Sequence, residues 1–376
     1  MYATPRKGRF AGPGLCHARP PPRSSAPAAA LQGPVVFAFL EEFAVTRPPQ
    51  ACLPSLFDHC AEVFAGHRGH PLRFGWLRKV HVRLQENPGL FARSFAARAT
   101  TELGVGRPAQ VPALRYWSSA FGLIRSSGRG SYEVTERGHW LLDDPGDGPS
   151  ARQGADPWLE RPESLWLLHW WLGEPGCAFP TWFQLFSRVR FGVQGELLVA
   201  RVSATAAAAG WKPPAPTRIR RDIETLVDMY RTSSLDADPF EDVDHPFRAL
   251  RLLDVNDAGW LRMNRPVEVP GRKAVVAYAC LDYAARVASG ASLSLARLGE
   301  DPAGPGCLLR ASREVLHTAL EDTSRRDSGS ALGLLGSVGE EALACSSPWE
   351  IAADRVLAEH YDVDRGPRGH LWDRRR

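Results

Sequence analysis

Four side chains near the middle of this chain are of the types that phosphodiester chemistry uses: Asp156, Glu160, His169 and Asp222. Cleaving a phosphodiester calls for carboxylates that hold a divalent cation such as Mg or Mn, or for a base beside a nucleophile. The stretch Asp156 to Trp171 is the densest local source of such groups. Trp158, Trp166, Trp170 and Trp171 stand among them, and charged groups against an aromatic wall lose solvent, which strengthens both metal binding and the stabilisation of developing charge. Arg218 and Arg221 precede or flank Asp222 on one predicted helix, so that helix end can hold a backbone phosphate. Two plainer accounts cover the same residues. Trp166 and Trp170 lie four apart on one helical face, as core residues do, with His169 as a satisfied core histidine beside them; ion pairing of Arg161 and Arg221 with the acids explains the carboxylates. The sequence assigns no metal ligands. Cys52, His59, Cys60, His67 and His70 are ligand types, but their spacings match no standard zinc pattern, and Cys60 falls on an apolar helical face. No P-loop, GxGxxG, HExxH or GxSxG motif is present, so nucleotide hydrolysis, zinc proteolysis and esterase chemistry have no positive support.

The elements that would present a nucleic acid to these groups lie upstream. Over 99–142 the pattern predicts a short helix at Thr100 to Leu103, a permissive corner at Gly104-Val105-Gly106, and a second helix from near Val111 with Pro112 in its first turn. That helix buries Val111, Leu114, Trp117 and Phe121 and presents Arg115, Tyr116 and Ser119. A strand at Leu123-Ile124-Arg125, a turn at Ser126 to Gly130, a return strand at Tyr132-Glu133-Val134 and a helix capped by Thr135 complete a winged helix-turn-helix. In such a module the recognition helix enters the major groove, while the wing reaches phosphate or the minor groove. Arg73, Arg78, Lys79, Arg107, Arg115, Tyr116, Ser119, Arg125 and Arg129 are the candidate DNA-binding residues. Winged helices also serve as protein-docking modules.

Charge supports a phosphate-facing surface only when it is divided along the chain. The whole of 376 residues carries +4, but residues 1–35 hold +5 and the segment from His67 to Trp140 holds +8, which leaves −9 for the remainder. Seven cysteines without a CxxC pair fit reduced thiols, and no apolar run approaches the length of a bilayer span. The sequence therefore reads as a soluble, cytoplasmic protein. The fold expected is mainly α with small β hairpins (α+β). It comprises a disordered basic tail (1–34), an N-terminal domain with the winged helix (35–150), a central helical domain (151–235), a C-terminal helical domain (236–330) and an extension (331–376), frayed from Asp364. Helices are predicted from Leu53 to Phe64, after the run Pro71 to Leu77 and ending near Asn87-Pro88-Gly89, and over Glu163 to Leu172, Pro180 to Val189, Gly195 to Ala209, Thr217 (as cap) to Tyr230, Ala274 to Ala288 and Leu309 to Leu320.

Six ordered motifs carry a family resemblance over about residues 60–325. They are Gly66-His67 with Arg73-Phe74-Gly75-Trp76-Leu77-Arg78-Lys79, Leu103-Gly104-Val105-Gly106 with Tyr116-Trp117, Thr135-Glu136-Arg137-Gly138, Asp156-Pro157-Trp158-Leu159-Glu160, Leu165-Trp166-Leu167-Leu168-His169-Trp170, and Arg221-Asp222. The sequence resembles the bacterial family catalogued as domain of unknown function 4007. It departs at the first motif, where the family has Glu-Thr-Phe after Gly-His and this chain has Arg68-Gly69-His70. The resemblance implies a place in DNA phosphorothioate modification and anti-phage defence. Family members there accompany phosphoadenosine phosphosulfate reductase-like sulfur-transfer proteins and ATPases, and in the single-strand version of the chemistry the family member nicks the DNA. The expected function is thus DNA binding and nicking. The alternatives are a non-catalytic adaptor that targets a sulfur-transfer enzyme and a transcriptional regulator of the defence island.

Overall fold

Gly75, at φ +75°, takes a left-handed backbone that most residues avoid and opens α1 (Trp76–Glu86), whose inward residues Trp76, Leu77, Val80, His81 and Leu84 recur at helical spacing. The computed structural model describes residues 55–144, 153–232, 244–266, 271–326, 332–336 and 340–370. Residues 54–376 cluster as one compact unit. The tail expected over 1–34, Cys52 and the division expected at 150 lie outside the described residues.

After α1 come α2 (Ala96–Glu102), a left-handed Gly104 at the corner, and α3 (Val111–Ala120), which has Pro112 in its first turn. Pro112 is tolerated there because its missing N–H is one of the first-turn donors that no helix bond uses. α3 buries Ala113, Leu114, Trp117 and Ser118 and leaves Ser119 exposed. Next is an antiparallel hairpin, β1 (Ile124–Gly128) with β2 (Ser131–Val134), in which Ile124 faces Val134 and Ser126 faces Tyr132. Gly128, Arg129 and Gly130 all take positive φ at its tip. The hairpin leads into α4 (Glu136–Leu142), where the Thr135 hydroxyl accepts the Gly138 N–H at 3.1 Å. The order helix, corner, helix, hairpin, helix follows the sequence pattern closely.

α5 (Pro162–Leu172) has every residue from Glu163 to Leu172 buried, so it is a core helix rather than an amphipathic surface one. α6 (Pro180–Arg188) meets it through Trp182, α7 (Gly195–Ala208) packs on α6 and on α8 (Pro216–Tyr230), and α8 and α9 (Arg272–Val287) meet α5 through Tyr230 and through Tyr278 and Asp282. The chain continues through α10 (Leu295–Glu300), α11 (Pro305–Leu308), α12 (Arg313–Arg326) and α13 (Trp349–Tyr361). Two three-stranded antiparallel sheets complete the fold. One has β3 (Gly192–Gln194), β5 (Trp260–Met263) and β4 (Leu253–Val255) in the order β3-β5-β4; the other has β6 (Ser292–Ser294), β8 (Ala342–Cys345) and β7 (Leu332–Leu335) in the order β6-β8-β7. The architecture is mainly helical with small antiparallel sheets, as expected. One continuous hydrophobic core runs from Phe57 to Tyr361 among the described residues.

Several local expectations are corrected. The helix expected from Leu53 to Phe64 is a single 3-10 turn, Leu56–His59. At Cys60 the backbone turns extended and pairs with Cys177, so interstrand bonding outcompetes the helical pattern. Thr217 does not cap α8: Ala215 holds the cap position and Pro216 the first turn. The helix expected from Leu309 forms instead as α12 from Arg313. The segment from Asp364 is docked, not frayed, as far as His370. The Arg365 carbonyl accepts the Trp140 indole N–H at 2.8 Å, and His370 meets Asp354 at 2.8 Å.

Candidate nucleic-acid interface

The presented face of α3 does not stand alone. Arg115, Tyr116 and Ser119 form one side of a cleft of about 710 Å³, whose other side comes from Arg218 and Arg221 of α8 and from the loop Glu62 to Arg68. Four guanidinium groups, those of Arg68, Arg115, Arg218 and Arg221, thus line one opening with Glu62 as the lone acid among its lining residues. Arg68 and Arg221 have no ion-pair partner among the described residues. Arg218 donates to the Phe64 carbonyl at 2.6 Å, and the Arg115 guanidinium lies 5.8 Å from the Tyr132 ring centre, which ties α3 to β2.

The cleft floor is built on a buried histidine-carboxylate pair. His67 Nδ1 accepts the Gly69 N–H at 3.1 Å, which leaves the ring proton on Nε2, and Nε2 donates to Asp222 at 2.8 Å. Asp222 also accepts the Ala65 N–H at 2.8 Å and the Thr181 hydroxyl at 2.8 Å. Both residues are fully buried, and the His67 ring stacks on Trp117 of α3 with 10° between planes. The pair therefore locks the loop Ala65 to Gly69 between α3 and α8, and the loop places Arg68 in the opening. Gly66 is needed for this approach, because a Cβ there would stand 2.5 Å from the Tyr116 ring. The Tyr116 hydroxyl donates to the Ala178 carbonyl at 2.8 Å, and burial, with the Asp222 charge behind it, raises its pKa well above the usual tyrosine value.

The other candidates lie elsewhere. Asp156 is buried and accepts the Glu160 and Arg161 N–H groups at 3.0 and 2.9 Å, so it closes the turn that feeds α5; Glu160 is exposed. His169 is fully buried, with Nδ1 against the Tyr230 hydroxyl at 2.8 Å and Nε2 against the Leu308 carbonyl at 2.9 Å. Burial pushes its pKa down to about 3, which keeps the ring neutral. Apart from the Glu160 N–H that Asp156 accepts, no hydrogen bond joins the four residues, and of them Asp222 alone contacts the cleft loop. Among the basic candidates, Arg73 pairs with Asp244 at 3.2 Å, Lys79 reaches the Gly104 carbonyl at 3.3 Å, and Arg125 pairs with Glu133 at 2.5 Å across the hairpin. Arg78 pairs with Asp144 and lies 3.9 Å over the Trp158 ring, so it braces the start of the central segment. Arg107 and Arg129 are exposed, and no side-chain ion pair engages either among the described residues. Of the ligand-type cluster Cys52 to His70, His59 bonds the Gly173 carbonyl at 2.8 Å and His67 bonds Asp222. Sequence reading did not find the roles of His67, Arg68 and Thr181. The signal for the first two was the Gly66-His67 motif that precedes the helix-turn-helix; Thr181 had none.

Comparison with known proteins gives a family and a structural likeness. A family model described as "Protein of unknown function (DUF4007)" matches residues 64–361. Two solved structures, titled "SspB crystal structure" and "Magnesium ion-bound SspB crystal structure", are each 32% identical to the chain, cover 82% of it and 90% of their own length, and superpose with a TM-score of 0.71. None of the curated proteins compared with the chain is similar to it.

Proposed function

Since the chain belongs to the DUF4007 family, we propose that it binds DNA through the arginine-lined cleft and the β1–β2 hairpin and serves as the nicking component of a DNA phosphorothioate modification and defence system. The observation that carries this reading is the convergence of Arg68, Arg115, Arg218 and Arg221 on one opening beside the exposed face of α3. Like charges are costly to gather unless a polyanion meets them, and guanidinium groups match phosphate oxygens in pairs. In this reading the segment from α2 to α4 is a winged helix-turn-helix, with α3 as its recognition helix and Arg129 at the tip of its wing. The structural likeness to SspB supports the assignment to phosphorothioation. The likeness to a structure titled as magnesium-bound supports Mg as the ion to supply in an assay. Partners of the sulfur-transfer and ATPase classes follow from the family resemblance.

Catalysis is proposed at Asp222, with His67 as its positioning residue, because this carboxylate lies directly beneath the cleft loop. One observation favours the adaptor reading instead: both oxygens of Asp222 and of Asp156 and both ring nitrogens of His169 already bond protein groups.

Two measurements separate these readings. Fluorescence anisotropy on a labelled duplex over a salt series should show Arg68→Gln and Arg221→Gln each weakening binding and reducing the log–log salt slope by about 0.9 for every phosphate the variant no longer neutralises. Supercoiled plasmid with Mg or Mn then scores nicking. Nicking abolished in Asp222→Asn with duplex affinity retained supports the nickase; duplex binding without nicking by the wild type supports the adaptor; unchanged affinity in both arginine variants removes the cleft from the interface.

A further inference from the structure

Behind the hairpin, α1 and α4 face one another with two i, i+4 pairs: His81 with Gln85 on α1, and His139 with Asp143 at the end of α4. Such spacing sets both members of a pair on one helical face. The ligand atoms of His81, His139 and Asp143 all lie within 4.8 Å of one another. Asp143 Oδ1 is 3.0 Å from His81 Nε2 and 2.9 Å from His139 Nδ1, while the Gln85 amide nitrogen is 2.7 Å from His81 Nε2 and 3.2 Å from the same Asp143 oxygen. We infer that these residues form a binding site for a divalent transition metal of the zinc class, which clips α1 to α4.

The polar ends of four side chains converge on one point with few protons to share among them. With Gln85 turned, a proton on His81 Nε2 is shared between the Gln85 and Asp143 oxygens. If Nε2 is bare, its lone pair faces the carboxylate. A cation at the centre meets the lone pairs of His81 Nε2, His139 Nδ1, Asp143 Oδ1 and the turned Gln85 Oε1 together. The observed separations of 2.9 and 3.0 Å are close to the roughly 3.3 Å edge of a tetrahedron with zinc-like bonds of about 2.0–2.1 Å. Two imidazoles and one carboxylate suit zinc, cobalt or nickel; magnesium prefers a shell of oxygens. His81 is almost wholly buried and Asp143 largely so, whereas Gln85 is exposed, so the fourth position opens to solvent and can exchange Gln85 for water. This site is independent of the arginine-lined cleft and draws on none of its residues.

Cobalt gives a readout that does not depend on any activity. Titration of the metal-stripped full-length protein with Co(II) should give a visible absorption band typical of a four-coordinate nitrogen and oxygen site, saturating at one ion per chain and bleached by an equivalent of Zn(II). His139→Ala should abolish the band, and His139→Gln, which keeps the volume and a polar end, should weaken Co(II) affinity at least tenfold while its circular dichroism matches the wild type. Zn(II) should raise the Tm of the wild type and not that of either variant. Absence of the band, retention of stoichiometric Co(II) in both variants, or displacement of Co(II) by an equal concentration of Mg(II) would overturn the assignment.

Discussion

At the scale of single residues, burial decides what a titratable group can do. His169 sits among Trp166, Trp182, Phe186 and Tyr230 and has both ring nitrogens engaged, so its neutral form is built into the core. In the unfolded chain a histidine takes its proton near pH 6.5, whereas the folded ring resists it until about 3. Between those values the unfolded chain binds more protons, so stability is full above about pH 6.5 and falls as the pH drops, at a limiting slope of about 1.4 kcal/mol per pH unit. Urea unfolding at intervals from pH 7.5 to 4.5 should therefore show His169→Gln less stable than wild type at pH 7.5, with the gap closing toward pH 4.5. A gap independent of pH would mean that the ring titrates normally in the fold. Burial also depresses His59, His245 and His360, which steepens acid destabilisation in wild type and variant alike. Asp222 is also fully buried, with three protein groups donating to its carboxylate. Removing its three accepted bonds by Asp222→Ala should cost about 3–5 kcal/mol, the range for an uncompensated buried polar cluster, so the isosteric Asp222→Asn is the variant in which activity can be read.

At the scale of elements, close backbone approach fixes how the hairpin and its neighbours fit. α4 lies against the entry of β1 so tightly that a Cβ on Gly138 would overlap the Leu123 carbonyl oxygen, and backbone cannot step aside as a side chain can. Gly138→Ala should lose about 2–3 kcal/mol in chemical denaturation, at the upper end for overpacking. If it costs under about 0.5 kcal/mol, an ordinary surface value, α4 packs on the hairpin with room to spare. The hairpin tip poses a different question. Arg129 holds a left-handed φ of +51° between two left-handed glycines, a conformation that arginine adopts at some cost and glycine without one. Arg129→Gly should thus leave stability unchanged or raise it by up to about 1 kcal/mol, while weakening duplex binding and lowering the salt slope by about one phosphate's share. A stability gain with unaltered DNA affinity would remove the tip from the interface.

At the scale of the whole molecule, distant segments close the core. The buried carboxylate of Asp282 is held by the Trp170 indole at 2.9 Å, by Arg286 at 3.0 Å and by Arg368 near the far end of the described chain. Asp354, whose pKa burial raises, takes its bonds from the Arg368 N–H at 3.1 Å and from His370 at 2.8 Å. The segment from Asp364 to His370 therefore neutralises two buried acids on α9 and α13. Ending the chain after Val363 should destabilise it by about 3–5 kcal/mol, because Asp354 stays buried without the Arg368 and His370 groups that bond it and Asp282 keeps only Trp170 and Arg286. The Asp354→Asn and Asp282→Asn substitutions should recover part of that loss in the shortened chain. If the shortened protein unfolds at the same urea concentration as the full one, the segment is not part of the core.

The sequence by itself determined the order of the local elements over 99–142 and placed the start of α3 and the Thr135 cap, although α2 begins at Ala96 rather than Thr100 and β1 runs on to Gly128. There the signals are short-range and chemical: a proline that can only start a helix, glycines that permit a corner, a threonine that caps, and an apolar face at helical spacing. It also determined the family, through ordered motifs, and the mainly helical class. It did not show the two three-stranded sheets, since strands of three and four residues carry too little alternation to read, even where turn-forming residue types such as Asn256-Asp257-Ala258-Gly259 stand between β4 and β5. Tertiary structure alone decided which polar residues meet. Asp222 was legible as a carboxylate beside arginines, but its partner His67 lies 155 positions away, and the two come together only because α3, α6 and α8 pack around one loop. The same is true of Arg68 in the cleft and of the pairing of His81 with His139. Periodicity reports which face of an element is buried; which face of which other element it then touches depends on the packing of the whole chain, and the chemistry of the site is set by that contact.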